Sequence, residues 1–196
     1  MRGWSRALCL LALAGCAAHS SSKDRFVPRK DIPASEGCLL DVDPCPLPVQ
    51  GCAQYAACTV LSFWRLPPRP VLDMLPSDRG VTILELATIL RREGLRVEIG
   101  RDGRHLQALR SSIDQGVPLL LVAEVTAGAD IPLSPILRTR GNPHYLVATG
   151  YDTASKRVIC LGLDTAAVAV PTQWFKSWWK RTDYAFLKVL PAGDAS

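Results

Sequence analysis

The sequence predicts an α+β fold with N-terminal helices packed on an antiparallel sheet, and three observations carry that expectation. Helix-like patterning fills the first half of the chain, from "CAQYAACTVLSFW" to "GRHLQALRSSIDQG". Strand-like runs fill the second half: "VPLLLVAEV", "HYLVATGYD", "KRVICLGLD" and "YAFLKVLP". The turn "YDTASKR" lies between two of these runs, and helices followed by paired strands are the α+β layout.

Each element has a local reason. From Cys52 to Trp64 the residues are small or apolar, as in a helix buried on most sides, and "RLPPRP" stops it because proline removes donors and restricts its predecessor. "VTILELATILRREG" has apolar residues at 83, 84, 86, 87, 89 and 90, with Thr82 and Glu85 at capping-box spacing and Gly94 closing it, which predicts an amphipathic helix over 82–93. "LRVEIG" alternates as a short strand, and "GRHLQALRSSIDQG" reads as a further helix stopped by Gly116. "PTQWFKSWWKR" is a short aromatic helix before the last strand, its Trp174, Trp178 and Trp179 serving as core or cleft wall. The stretch from 126 to 143 is a long loop between two strands, a length usually reserved for functional or mobile segments.

The chain begins "MRGWSRALCLLALAGCAAHSSSKDR", a basic start followed by an apolar run too short to span a bilayer, the pattern of a secretory signal. "LAGC" resembles the lipobox of bacterial lipoproteins. That resemblance implies cleavage before Cys16, lipid on its thiol and amine, and a lipid bilayer as a partner; an ordinary signal cut after Ala17 or Ala18 is the alternative. Ala17 rather than Asp after the cysteine favours, in Gram-negative lipoproteins, the outer membrane facing the periplasm. The expected organisation is a signal peptide over residues 1–15, lipidated Cys16 with a tether over 16–36, and one domain over 37–196. A domain of that length buries a real core. Loss of Arg2 and Arg6 with the signal lowers the net charge from +5 to +3 without leaving basic blocks, so nucleic acid is not an expected partner.

Once Cys9 leaves with the signal and Cys16 is lipidated, Cys38, Cys45, Cys52, Cys58 and Cys160 remain for an oxidising compartment, an odd set. Cys38 and Cys45 share the Pro-rich segment "EGCLLDVDPCPLP" and form the candidate disulfide; Cys58 and Cys160 read as core cysteines. No CxxC or HxxxH spacing occurs, so neither metal nor cofactor is expected.

Cys52 begins a helix, where unpaired N–H groups and the dipole favour a thiolate. A core helix cysteine is the alternative. Of the three histidines, His19 lies in the tether and His105 on a polar helix face. His144 opens a strand after "GNP", at a sheet end where it could activate a thiol or serve as a satisfied structural histidine. Asp164 ends the next antiparallel run, so it belongs to the same sheet edge as His144.

These stretches together resemble the papain-like cysteine peptidases of the bacteriocin-processing (double-glycine) family. "CAQYAACTVLSFW" is similar to that family's cysteine motif, "HYLVATGYD" to its histidine strand and "VICLGLD" to its aspartate strand. "GVTILELATILRREGL" resembles a helical motif of that family, and "PTQWFKSWWKR…YAFLKVLP" the finish of its stand-alone lipoprotein members. The resemblance covers residues 46–191 and implies a papain-like fold and a peptide or protein substrate. It also implies Cys52 as nucleophile, His144 as general base and acid, and Asp164 as the residue orienting His144. The oxyanion glutamine of the family stands five or six residues before its cysteine; here those positions are Leu47 and Pro46, and Gln50 is the upstream candidate. Ala53 and Gln54 replace the Gly-Pro that follows the family's cysteine, and Gln54 is a second source of an amide. A non-catalytic, peptidase-like binding module and a transglutaminase-like acyl-transfer enzyme are the competing readings.

Overall fold

The computed structural model describes residues 37–76, 79–101, 105–125, 143–162 and 167–192. The expected signal peptide, Cys16, His19, the tether, the loop from 126 to 142 and Asp164 lie outside the described residues. The strands are β1 (Gly37–Leu39), β2 (Arg96–Arg101), β3 (Leu119–Glu124), β4 (Pro143–Asp152), β5 (Arg157–Leu161), β6 (Val168–Pro171) and β7 (Ala185–Leu190). The helices are α1 (Cys52–Phe63), α2 (Arg69–Met74), α3 (Ile83–Arg92), α4 (His105–Asp114) and α5 (Thr172–Lys180).

All strand pairs are antiparallel, in the order β2-β7-β3-β4-β5-β6. β3 pairs with β4 from Pro143 to Ala148, and β1 then pairs with Gly150 to Asp152 of the same strand. β1, β6 and α2 are additions to the elements expected from sequence. The α2 helix forms directly after "RLPP" because Pro70 falls in its first turn, where the missing N–H has no intrahelical partner to lose.

The capping box of α3 is present. Thr82 Oγ1 accepts the Glu85 N–H at 3.2 Å, and the Glu85 carboxylate accepts the Thr82 N–H at 2.8 Å. The Arg79 guanidinium, 2.9 Å from that carboxylate, and the Thr82 groups hold Glu85 down to about 2. Gly94, at φ +80°, ends the helix in the left-handed region that glycine adopts without strain.

Alternation along β4 divides the core between the two faces of the sheet. Tyr145 and Val147 join the cluster with α1, α2 and α3, while Leu146 and Ala148 join the one with α4 and α5. The expected arrangement of N-terminal helices on a sheet is therefore one half of the architecture, since α4 and α5 cover the other face. Leu120 and Val147 on the first side, and Leu119, Leu121 and Leu146 on the second, are fully buried, each contributing about 2 kcal/mol of apolar transfer. Trp178 and Trp179 are core residues of the second side, and the Trp179 indole N–H donates to the Ala185 carbonyl at 3.1 Å. Burial drives the Cys160 thiol up to about 12, as suits an inert core cysteine.

The expected Cys38–Cys45 disulfide is not what the structure contains. Cys45 is bonded to Cys58, with the two Cα atoms 5.3 Å apart, and Cys38 is a free thiol. The sheet explains the difference. Cys38 lies on β1 and packs with the α4–α5 side, its Sγ 3.8 Å from the Ile113 carbonyl, whereas Cys45 packs with the α1 side. Nearness in sequence put the two in one loop, but Cys38 sits within β1 and its side chain goes to one layer, while Cys45, beyond the strand, goes to the other. Cys58 is thus a core residue, fully buried, and a disulfide partner as well.

Candidate active site

Cys52 is the first residue of α1. Gly51 precedes it with extended backbone, φ −125° and ψ 152°, and no side chain caps the helix. The first intrahelical bond runs from the Tyr55 N–H to the Gly51 carbonyl at 2.9 Å. The N–H groups of Cys52, Ala53 and Gln54 therefore point out of the helix end without intrahelical partners. Such an end stabilises negative charge, whether a thiolate or a developing oxyanion.

His144 is the second residue of β4, whose start lies at the same sheet rim as the end of β5, because Val147 pairs with Leu161. The imidazole Nε2 lies 2.7 Å from the Gly162 carbonyl oxygen, immediately beyond β5. A carbonyl has no proton to give, so Nε2 carries the hydrogen and donates it. In the neutral ring the lone pair then belongs to Nδ1, the atom left to act as a base. Gly162 makes this possible. Its φ of +102° is open to glycine, and a Cβ there would stand 2.9 Å from the Tyr145 carbonyl oxygen.

Burial pushes the His144 imidazole below its ordinary pKa, and the Gly162 carbonyl pulls part of the way back. A neutral ring at physiological pH is the form that can accept a thiol proton. The next residue, Tyr145, points to the α1 side and donates its hydroxyl to the Val81 carbonyl at 3.1 Å. Its phenol is driven upward first by burial and next by negative charge on Cys52 and Glu85.

The helix that begins at Cys52 packs against β4, and His144 stands at the rim where that strand begins. No hydrogen bond joins the Cys52 and His144 side chains. Gln50 has an exposed side chain, and its backbone N–H donates to Gln54 Oε1 at 3.1 Å. Gln54 Nε2 donates in turn to the Leu75 carbonyl at 3.1 Å. The Gln54 amide is therefore a clamp between the segment before Cys52 and the end of α2. The Gln50 carboxamide makes no hydrogen bond among the described residues. Tyr145 and Gly162 had no distinct signal in the sequence, and Gln54, read there as an amide source, is instead held by contacts on either side of it, since each depends on a contact with another segment.

No protein-family model and no curated protein matches the sequence. Solved structures do. The peptidase domain of Streptococcus ComA, a bi-functional ABC transporter involved in a quorum-sensing pathway, aligns with a TM-score of 0.55 at 15% identity. That alignment covers 76% of this chain and 98% of the ComA domain. A Bacillus anthracis protein assigned as a C39-like peptidase aligns with a TM-score of 0.56 at 16% identity, covering 79% of this chain and 98% of the other.

The fold is that of a papain-like C39 peptidase domain. The peptidase-like fold accounts for the arrangement seen here, a cysteine-bearing helix laid against a sheet with a histidine at its rim. The short extra strand β1 and the Cys45–Cys58 bond complete this version of it.

The depressed His144 pKa has a consequence for stability. In the unfolded chain the ring protonates near ~6.5, whereas in the folded protein it stays neutral to lower pH. Its contribution is present above that unfolded value and is lost as pH falls through the folded one. Urea unfolding of wild type and His144→Gln at about pH 7.5 and about pH 5 reads this directly. Wild type should lose more stability on acidification than the variant; equal losses would mean that the ring is not buried as described.

Proposed function

We propose that the chain is a lipid-anchored cell-envelope cysteine peptidase. One arrangement supports this best: a thiol at the uncapped start of α1, a helix packed on β4, and a histidine at the start of β4 that gives Nε2–H to Gly162 and keeps Nδ1 as base. Cys52 Sγ attacks the carbonyl carbon of a peptide bond while His144 Nδ1 takes the thiol proton. The oxyanion rests against the N–H groups of the first turn of α1 and the Gln50 carboxamide. Nδ1 then returns the proton to the leaving amine, and a thioester forms on Cys52. Water attacks the thioester carbonyl and gives a proton to Nδ1; the C–S bond then breaks, the acid leaves, and Nδ1 returns the proton to Cys52 Sγ. Asp164, two residues beyond Gly162 in the chain, orients the imidazole and balances its charge without taking its proton.

A non-catalytic module that recruits an envelope peptide or protein is the second reading. It is favoured by the absence of a Cys52–His144 hydrogen bond and by Ala53-Gln54 in place of Gly-Pro. Catalytic hydrogen bonds in peptidases often tighten only with substrate, which is why the enzyme reading stands first. The anchor is proposed on the lipobox-like "LAGC", with Cys16 in the outer membrane facing the periplasm.

Iodoacetamide at about pH 6.5, followed by peptide mapping, distinguishes the two readings because only the thiolate is alkylated. Cys52 should react at least about tenfold faster than the partly exposed Cys38, and His144→Ala should remove most of that advantage. Equal rates for both cysteines would leave the binding module as the better account.

The anchor has its own test in cell fractionation. Cys16→Ser should move the protein out of the membrane fraction or leave it unprocessed. Wild type found soluble with a free amino terminus at residue 18 or 19 would contradict lipidation.

A further inference from the structure

The segment that leads into Cys52 is held in an unusual way. Residues 44–50 contain Pro46 and Pro48 and make no backbone–backbone hydrogen bond among the described residues. Their polar anchors are few. Cys45 is bonded to Cys58, its Sγ lies 3.4 Å from the Leu47 carbonyl, and the Gln50 N–H donates to Gln54 Oε1. Leu47 and Val49 add apolar contact as partly buried neighbours of the α1-side core. Both polar anchors reach back to α1 itself, Cys58 in its fully buried middle and Gln54 in its first turn. The Gln54 amide is fixed at its other end by the Leu75 carbonyl.

A chain without ladder hydrogen bonds explores many conformations, and a covalent link removes most of them. The loop closed by Cys45 and Cys58 contains the Gly51 N-cap, the Gln50 carboxamide and Cys52. Cys58 is six residues further along α1 than Cys52 and so faces another side of the helix. The disulfide therefore constrains the approach to the sulfur without touching it. The Gln54 clamp adds a second constraint one residue before Gly51.

We propose that Cys45, Cys58 and Gln54 are positioning residues that hold the 45–51 segment so that Cys52 and Gln50 keep their working geometry. This deepens, and rests on, the reading of Cys52 as nucleophile. The disulfide then belongs to the function as well as to the stability of the domain, and the reactive state of Cys52 requires an oxidised Cys45–Cys58 pair.

The test compares iodoacetamide labelling at about pH 6.5 in wild type, Cys45→Ala, Gln54→Ala and Cys38→Ala, with each cysteine mapped separately. Non-reducing maps of wild type must join Cys45 to Cys58. Cys160 is fully buried, so it stays unlabelled wherever the fold is intact and reports on folding within the same sample. In Cys45→Ala and Gln54→Ala the Cys52 rate should fall by roughly tenfold or more with Cys160 still protected, while Cys38→Ala leaves Cys52 unchanged. If Cys45→Ala does not fold, Gln54→Ala decides alone, because it leaves the disulfide in place. A folded variant whose Cys52 rate stays within about twofold of wild type overturns the proposal. A wild-type Cys52 no faster than Cys38 overturns it too, but through failure of the nucleophile reading, which the wild-type sample alone reveals.

Discussion

Strand β4 pairs with β3 along its first residues, with β1 along its last, and with β5 on its other edge. Tyr145 and Val147 leave its surface toward α1, and Leu146 and Ala148 leave it toward α4 and α5. Because the side-chain period of a strand is two, sliding this one by a residue would put Tyr145 and the apolar set on the wrong faces. That confinement places His144 at the rim. It also brings the Gly162 carbonyl to the ring, since β5 ends one residue earlier in fixed register.

Two local fields bear on the proposed chemistry. The start of α1 presents uncapped N–H groups that favour negative charge on or near Cys52. The partly buried imidazole resists positive charge and is kept neutral, with its hydrogen on Nε2. A neutral base and a site prepared for an anion are complementary requirements for starting a thiol attack. The Tyr145 hydroxyl, fixed on the Val81 carbonyl, ties the region before α3 to the same corner.

Much of this was legible in the sequence where the signals are local. The α3 capping box, the apolar run of β4 and the small residues of α1 each describe a structure formed by near neighbours. The elements that were missed depend on context. β6 is a four-residue "VAVP" too short to carry a periodic signal, and β1 is a three-residue strand that pairs with the end of β4 beyond the point where β3 begins at Leu119. The disulfide failed for the same reason. Cys38 and Cys45 are close along the chain, but β1 carries one to the α4 side, while Cys58 reaches the other from the middle of α1. The candidate site divides likewise. Cys52 and His144 are candidates by their place in the sequence, whereas the Gly162 acceptor and the Gln54 clamp exist only once distant segments meet.

The central claim is that the rim of β4 and β5 fixes His144 as the Nε2–H tautomer with Nδ1 bare. Long-range ¹H–¹⁵N correlation of the imidazole in folded, ¹⁵N-labelled protein at about pH 7.5 measures this without any substrate. The account predicts a protonated Nε2 and a pyridine-like Nδ1 for His144, changed when Gly162→Ala disturbs the carbonyl. A hydrogen on Nδ1 in the wild type, with Nε2 unprotonated, would contradict it.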